Sequence, residues 1–244
     1  MIRAVIFDLF ETLVTEWGHE KLIKRKTAAM LGVPYEDFSA GMEQLHDAQY
    51  RGRITYEESL RTVYAQMHAD VPEEAIRHVM LLRRQTKAAC FTKPHPDILP
   101  MLAALRTRGY RTAILSNCSG EEVEVVRKSV LAPLTDAIIL SYETGECKPE
   151  RAIYQRTADM LGMRCEECIF IGDGGSRELY GAADAGMKPQ RALWYISAMP
   201  SPIREQPEFP CINTPMDVLS LPEIQFIHIK GDPLCCTNRV LLRP

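Results

Sequence analysis

Ala4-Val5-Ile6-Phe7-Asp8-Leu9-Phe10-Glu11-Thr12 sends four apolar residues straight into a carboxylate. The run is far shorter than the ~20 residues a membrane helix needs. Asp8 also cuts it off where a signal sequence would continue. A short apolar run bounded by turn-forming residues reads as a buried strand. Four further runs repeat the pattern: Thr112–Leu115, Ala137–Leu140, Ile169–Ile171 and Ala192–Ile196. Helical stretches separate the later ones. That alternation predicts an α/β fold, a doubly wound, Rossmann-like parallel sheet with helices on both faces. Ligands of such sheets bind beyond the carboxyl ends of the strands, so the residue after each run matters most.

Between the first and second runs the strand signal disappears and helical periodicity replaces it. Ile23, Thr27 and Met30 share a face before Gly32; Phe38, Met42, Leu45 and Gln49 repeat the spacing before Gly52. Thr55-Tyr56-Glu57-Glu58 reads as a capping box, with Leu60, Val63 and Met67 behind it. Pro72-Glu73-Glu74 opens a further helix carrying Ile76, Val79 and Met80. The expected organisation is a catalytic core of residues 1–15 and 93–225, an inserted all-helical cap of residues 16–92, and a C-terminal extension of residues 226–244 without an assigned role. Within that extension Phe226–Ile229 has the composition of an extra strand, and Cys235-Cys236 follows.

A chain of 244 residues is long enough for a sizeable core. Its net charge of −3 and the absence of a basic cluster give no reason to expect a nucleic-acid partner. The eight cysteines, without a secretory segment, are expected to be reduced thiols in a cytoplasmic protein. Cys165 and Cys168 form one CxxC, but the second ligand pair that a zinc site needs does not follow.

Four strand ends carry polar residues of complementary kinds. Asp8 can serve as a nucleophile or metal ligand, although an Asp there can equally cap a turn. Ser116-Asn117, before a helix near Glu121, can cradle an anion or simply cap that helix. Lys148, fixed by Pro149 at a helix start, would neutralise a dianion beside a carboxylate, whereas most lysines are merely solvated. Gly172-Asp173-Gly174-Gly175-Ser176-Arg177-Glu178 places two hard carboxylates around a glycine turn, a donor set that suits magnesium.

The order Asp8…Thr12, Ser116-Asn117, Lys148-Pro149, Gly172-Asp173…Glu178 resembles the four ordered motifs of the haloacid dehalogenase superfamily. The resemblance covers roughly residues 1–225, and the helical insertion falls where one large subgroup carries its cap. It implies an aspartyl-phosphate intermediate on Asp8 and a first loop supported by Thr12. It further implies phosphoryl oxygens held by Ser116 and the backbone around Asn117, with Lys148 stabilising nucleophile and phosphoryl group. Magnesium would be held by Asp8, the backbone carbonyl of Phe10, Asp173 and Glu178. The expected substrate is a small phosphorylated metabolite.

One position departs from the pattern. Most phosphatases of the superfamily have an Asp two residues after the nucleophile, where this chain has Phe10. That acid protonates the leaving oxygen, a contribution typically of ~10²–10⁴-fold. Glu11 is adjacent, but on an extended backbone it would point the other way; His19 is another candidate. An aromatic residue here also resembles the metal-independent 2-haloacid dehalogenases, which attack carbon. Asp173 and Glu178 weigh against that alternative, since clustered carboxylates without a cation are costly. A catalytically impaired binding or scaffold protein of the same fold is the third reading. Trp17, His19 and Arg51 are either substrate contacts or plain surface.

Overall fold

Six parallel strands form one sheet in the order β3-β2-β1-β4-β5-β6. They are β1 (Ala4–Phe7), β2 (Arg111–Ser116), β3 (Ala137–Leu140), β4 (Cys168–Gly172), β5 (Lys188–Ala192) and β6 (Cys211–Ile212). The computed structural model describes residues 1–17, 22–67, 72–198, 206 and 208–224. His19, Phe226–Ile229 and Cys235-Cys236 lie outside the described residues. No helix among those described is long and apolar enough to cross a membrane.

Strand alternation explains the layers. Val5, Phe7, Ile114, Ile169 and Ile171 face one side. There they pack on Ile98, Met101, Leu102 and Leu105 of α5 (Ile98–Thr107) and Val126 of α6 (Gly120–Arg127). Ala4, Ile6, Ala113, Leu115 and Phe170 face the other. Their partners are Ile153, Tyr154 and Ala158 of α8 (Arg151–Met160) and Leu179, Ala182 and Ala185 of α9 (Glu178–Ala185). Burying each large side chain is worth about 1.5–3 kcal/mol. β1 lies between β2 and β4, so the strand order reverses at it, and this is where a ligand crevice opens.

Among the described residues, four helices stand between β1 and α5: α1 (Lys24–Leu31), α2 (Tyr35–Tyr50), α3 (Tyr56–Met67) and α4 (Glu73–Ala89). They bury a cluster of their own that includes Phe38, Met42, Leu60, Val63, Ile76 and Val79. The capping box at Thr55 forms, with Glu58 N donating to Thr55 Oγ1 at 3.1 Å and Thr55 N to Glu58 Oε2 at 2.8 Å. In α1 the buried face is Thr27, Ala28 and Leu31, one position on from the expected one; Ile23 is exposed.

Two expected boundaries are corrected. The fifth strand is Lys188–Ala192, not Ala192–Ile196. Gln190 and Arg191 are buried in it despite their polarity, while Trp194 and Ile196 pack after the strand has ended. Pro149 does not open a helix: α8 begins at Arg151, and the Lys148–Pro149 peptide, which is cis, belongs to the loop after the short helix α7 (Ser141–Thr144).

Candidate active site

The carboxyl ends of β1 and β4 are tied together by the backbone. Asp8 N donates to Ile171 O at 2.8 Å, which brings Asp8 beside Gly172-Asp173. The chain then folds back sharply, with Leu13 N and Val14 N both donating to Leu9 O at 2.8 and 3.0 Å. Leu9, Leu13 and Val14 are fully buried, so apolar burial fixes the loop on which Asp8 sits.

Lys148 Nζ bonds both Asp8 Oδ1 and Glu178 Oε2. Ligand oxygens of Asp8, Asp173 and Glu178 lie within 4.8 Å of one another, the one such acidic group among the described residues. Glu178 enters the cluster as the first residue of α9; Gly174 N donates to its Oε1 at 3.1 Å and Tyr154 Oη donates to its carbonyl at 2.8 Å. Gly175 N donates to Asp173 Oδ1 at 2.8 Å. The turn between the two acids places Gly174, Ser176 and Arg177 at positive φ, a conformation cheap only for glycine.

Three carboxylates thus face one ammonium. Burial pushes the Asp8 carboxyl above its ordinary range, with Lys148 pulling down and Asp173 pushing up. Burial and then Asp8 push Glu178 well up, with Lys148 again opposing. Burial works against the Lys148 charge, but Asp8 and Glu178 together outweigh it and hold the amine protonated. The cluster is short of positive charge, and its donors are hard oxygens in a mostly buried site. A divalent cation such as magnesium fits both properties.

The family model described as haloacid dehalogenase-like hydrolase matches residues 2–186. This chain belongs to that family and is an enzyme. Among similar proteins of this hydrolase family, a glyceraldehyde 3-phosphate phosphatase of Methanopyrus kandleri is 25% identical over 193 residues, 77% of this chain and 82% of that one. A phosphoglycolate phosphatase of Aquifex aeolicus is 26% identical over 230 residues, 90% of this chain and 96% of its own. The crystal structure of a 2-haloacid dehalogenase from Pseudomonas syringae pv. Tomato DC3000 shares the fold, with a TM-score of 0.66 at 18% identity over 90% of this chain and 97% of that one.

The other expected site residues of the haloacid dehalogenase-like chain divide into two groups. Ser116 is buried at the end of β2, its hydroxyl 3.3 Å from Asn117 O. Thr12 is fully buried, its carbonyl accepts from Trp194 Nε1 at 2.8 Å, and its Oγ1 has no partner among the described residues. Asn117 turns its side chain to Lys148 instead of outward: Nδ2 donates to Lys148 O at 2.9 Å and Oδ1 accepts from Lys148 N at 2.8 Å. The start of α6 adds little to an anion cradle, because Cys118 N donates to Ser141 Oγ and Ser119 N to Glu122 Oε2.

Phe10 points away from acid–base chemistry altogether. Its ring meets Phe91 edge-on at 6.5 Å, and Lys87 Nζ lies 4.4 Å from its centroid. Glu11 has φ +60, so the extended-backbone argument does not apply to it. Its carboxylate accepts from Thr15 Oγ1 and from Glu16 N. Arg51 is not plain surface: it donates to Gly145 O at 3.1 Å and pairs with Glu150 and Asp47, tying α2 to the loop that carries Lys148. The sequence reading missed Lys87 and Arg83 on α4. Lys87 pairs with Glu122 at 2.5 Å and Arg83 with Glu121, docking the helical insertion onto α6. Their i, i+4 spacing was the available signal.

Proposed function

We propose that the chain is a magnesium-dependent phosphatase that acts on a small phosphorylated metabolite through an aspartyl-phosphate on Asp8. The observation that supports this most is the convergence of Asp8, Lys148, Asp173 and Glu178 at the ends of β1 and β4. A dehalogenase attacking carbon has no need of the two extra carboxylates, and the cluster would carry their mutual repulsion without return. The names of the two relatives agree with phosphoryl chemistry.

In this reading Asp8 attacks phosphorus as the bond to the leaving oxygen breaks, and water then hydrolyses the acyl phosphate to return Asp8 and phosphate. Lys148 orients Asp8 and offsets charge on the phosphoryl oxygens. Ser116 Oγ at the end of β2 and Thr12 Oγ1 in the loop after Asp8 are the hydroxyls that would hold phosphoryl oxygens. Asn117 acts by holding Lys148 rather than by touching phosphate. Asp8, Asp173, Glu178 and the Phe10 carbonyl would hold magnesium, which when bound removes the repulsion between nucleophile and dianionic phosphate. Helices α1 to α4 serve as a cap that keeps bulk water from the reaction.

The test is phosphate release from p-nitrophenyl phosphate and halide release from 2-haloacids, each with and without magnesium. The reading requires magnesium-dependent phosphate release that is lost in Asp8→Asn. Halide release without metal would replace it with the dehalogenase reading.

A further inference from the structure

A cavity of about 260 Å³ lies between α2, α3, α4 and the segment that follows the Asp8 loop. Its walls include Glu16, Gln49, Tyr50, Tyr56, Arg83 and Lys87. It borders the nucleophile's own loop: Lys87 stands over the Phe10 ring and bonds Glu16, whose backbone N–H donates to Glu11. By volume it holds the equivalent of about eight or nine waters. That is below the usual ~300–1,000 Å³ of pockets for larger ligands, so an occupant would be a few carbons long.

The charges around it are already matched. Lys87 pairs with Glu16 at 2.6 Å and Glu122 at 2.5 Å. Arg83 pairs with Glu121 and donates to Ser119 Oγ at 3.0 Å, and Lys24 pairs with Glu43 at 2.8 Å. Among the described residues, each cation of the wall therefore has a carboxylate. A carboxylate entering here would have to displace one of those partners and lie near Glu16.

One wall group is different. Gln49 is 4% exposed, and its Nε2 has no hydrogen-bond partner among the described residues. A buried amide donor left unpaired is costly, and native proteins seldom keep one without a use. A hydroxyl is the complementary ligand: its oxygen accepts from Gln49, and its proton can go to a wall oxygen such as Glu16 or Tyr50 Oη.

We propose that this cavity receives the leaving group, that its already paired cations and Glu16 turn carboxylates away, and that the Gln49 donor seats a hydroxyl, so that the site selects neutral, hydroxylated phosphate esters over carboxylated ones of equal size. The inference rests on the phosphatase reading above and narrows its substrate class.

sn-Glycerol 3-phosphate and 3-phosphoglycerate form a matched pair, differing only by a hydroxymethyl group in place of a carboxylate. The wild type should show a kcat/KM at least tenfold higher on the first. Gln49→Leu should lower kcat/KM on glycerol 3-phosphate about tenfold or more, mainly through KM, and so narrow the ratio. It should also melt no lower than wild type, since an unpaired donor has been replaced by an apolar group of similar size. Gln49→Met, which keeps the length but has no donor and no charge, provides a second variant should Leu fold poorly; it should narrow the ratio likewise. Equal or better turnover of 3-phosphoglycerate, or a ratio unmoved in both variants, overturns the proposal while Asp8-dependent release from p-nitrophenyl phosphate leaves the phosphatase reading standing. No Asp8-dependent phosphate release from any ester ends both.

Discussion

Asn117 grips both backbone groups of Lys148, with Nδ2 on the carbonyl at 2.9 Å and Oδ1 on the N–H at 2.8 Å. The residues are 31 positions apart, so the end of β2 locks the loop that delivers the ammonium to Asp8. Two neutral hydrogen bonds are worth about 1 kcal/mol each in stability. The catalytic consequence is larger, because preorganised charge works only in place. Asn117→Ala should cut kcat by about 10–100-fold with a smaller change in KM. Steady-state kinetics on p-nitrophenyl phosphate measure this; an unchanged kcat would show that Lys148 needs no such brace.

Gly172 and Glu178 make a second coupled pair. A Cβ at Gly172 would lie 2.2 Å from Glu178 Oε1 and 2.7 Å from its Cδ, and Glu178 is buried. Gly172→Ala should therefore move the carboxylate out of the acidic cluster. The expected outcome is at least a tenfold rise in the magnesium concentration for half-maximal activity, with a loss of about 1–3 kcal/mol of stability from overpacking. A magnesium titration of activity, paired with urea unfolding, reads both quantities. An unaltered magnesium response would remove Glu178 from the metal site.

These pairs mark where the sequence stops being legible. Asp8 and Asp173 stand just past the ends of β1 and β4, positions that the strand pattern alone locates, whereas Lys148 follows the short helix α7 and Glu178 opens α9. β1 and β3 match the expected limits residue for residue. The fifth strand was misplaced because its buried residues include Gln190 and Arg191, while the apolar residues after it pack outside the sheet. β6 has two residues and leaves no periodic trace. The bonds from Asn117 to Lys148 and from Trp194 to Thr12, the latter spanning 182 positions, arise from tertiary packing that local pattern does not encode. The same holds for Glu11, whose left-handed backbone reverses a directional argument that assumed extension.

Tyr50 supplies a prediction about pH. Burial, and after it the charge of Glu122, pushes its hydroxyl from 10.0 up to about 12. The folded state thus binds this proton more tightly than the unfolded chain does. Its contribution is intact below pH 10 and is lost as pH rises from about 10 to about 12, because only the unfolded chain ionises in that window. The loss should approach about 3 kcal/mol by pH 12. Urea unfolding of wild type and Tyr50→Phe at pH 8, 10 and 11.5 checks this. The stability difference between the two proteins should be constant up to pH 10 and then shift in favour of Tyr50→Phe; parallel curves throughout would refute the assignment.

Phe10 occupies the position where the superfamily's phosphatases resemble one another in carrying an acid. Without one, the leaving oxygen departs without a proton donor at that point, so turnover should depend steeply on leaving-group quality. Phe10→Asp should raise kcat on alkyl phosphates while changing p-nitrophenyl phosphate little, since that leaving group needs no protonation. General acid help typically brings ~10²–10⁴-fold, but the gain here should be nearer tenfold. The Lys87 ammonium now lies 4.4 Å from the centre of the Phe10 ring, and beside it a carboxyl would stay ionised, a poor acid though still a competent base for the water step. Adding Lys87→Met should release more of the gain. A plot of log kcat against leaving-group pKa for wild type, the single variant and the double variant should grow progressively flatter. A wild-type slope that is already flat would mean that another group of the helical insertion donates the proton.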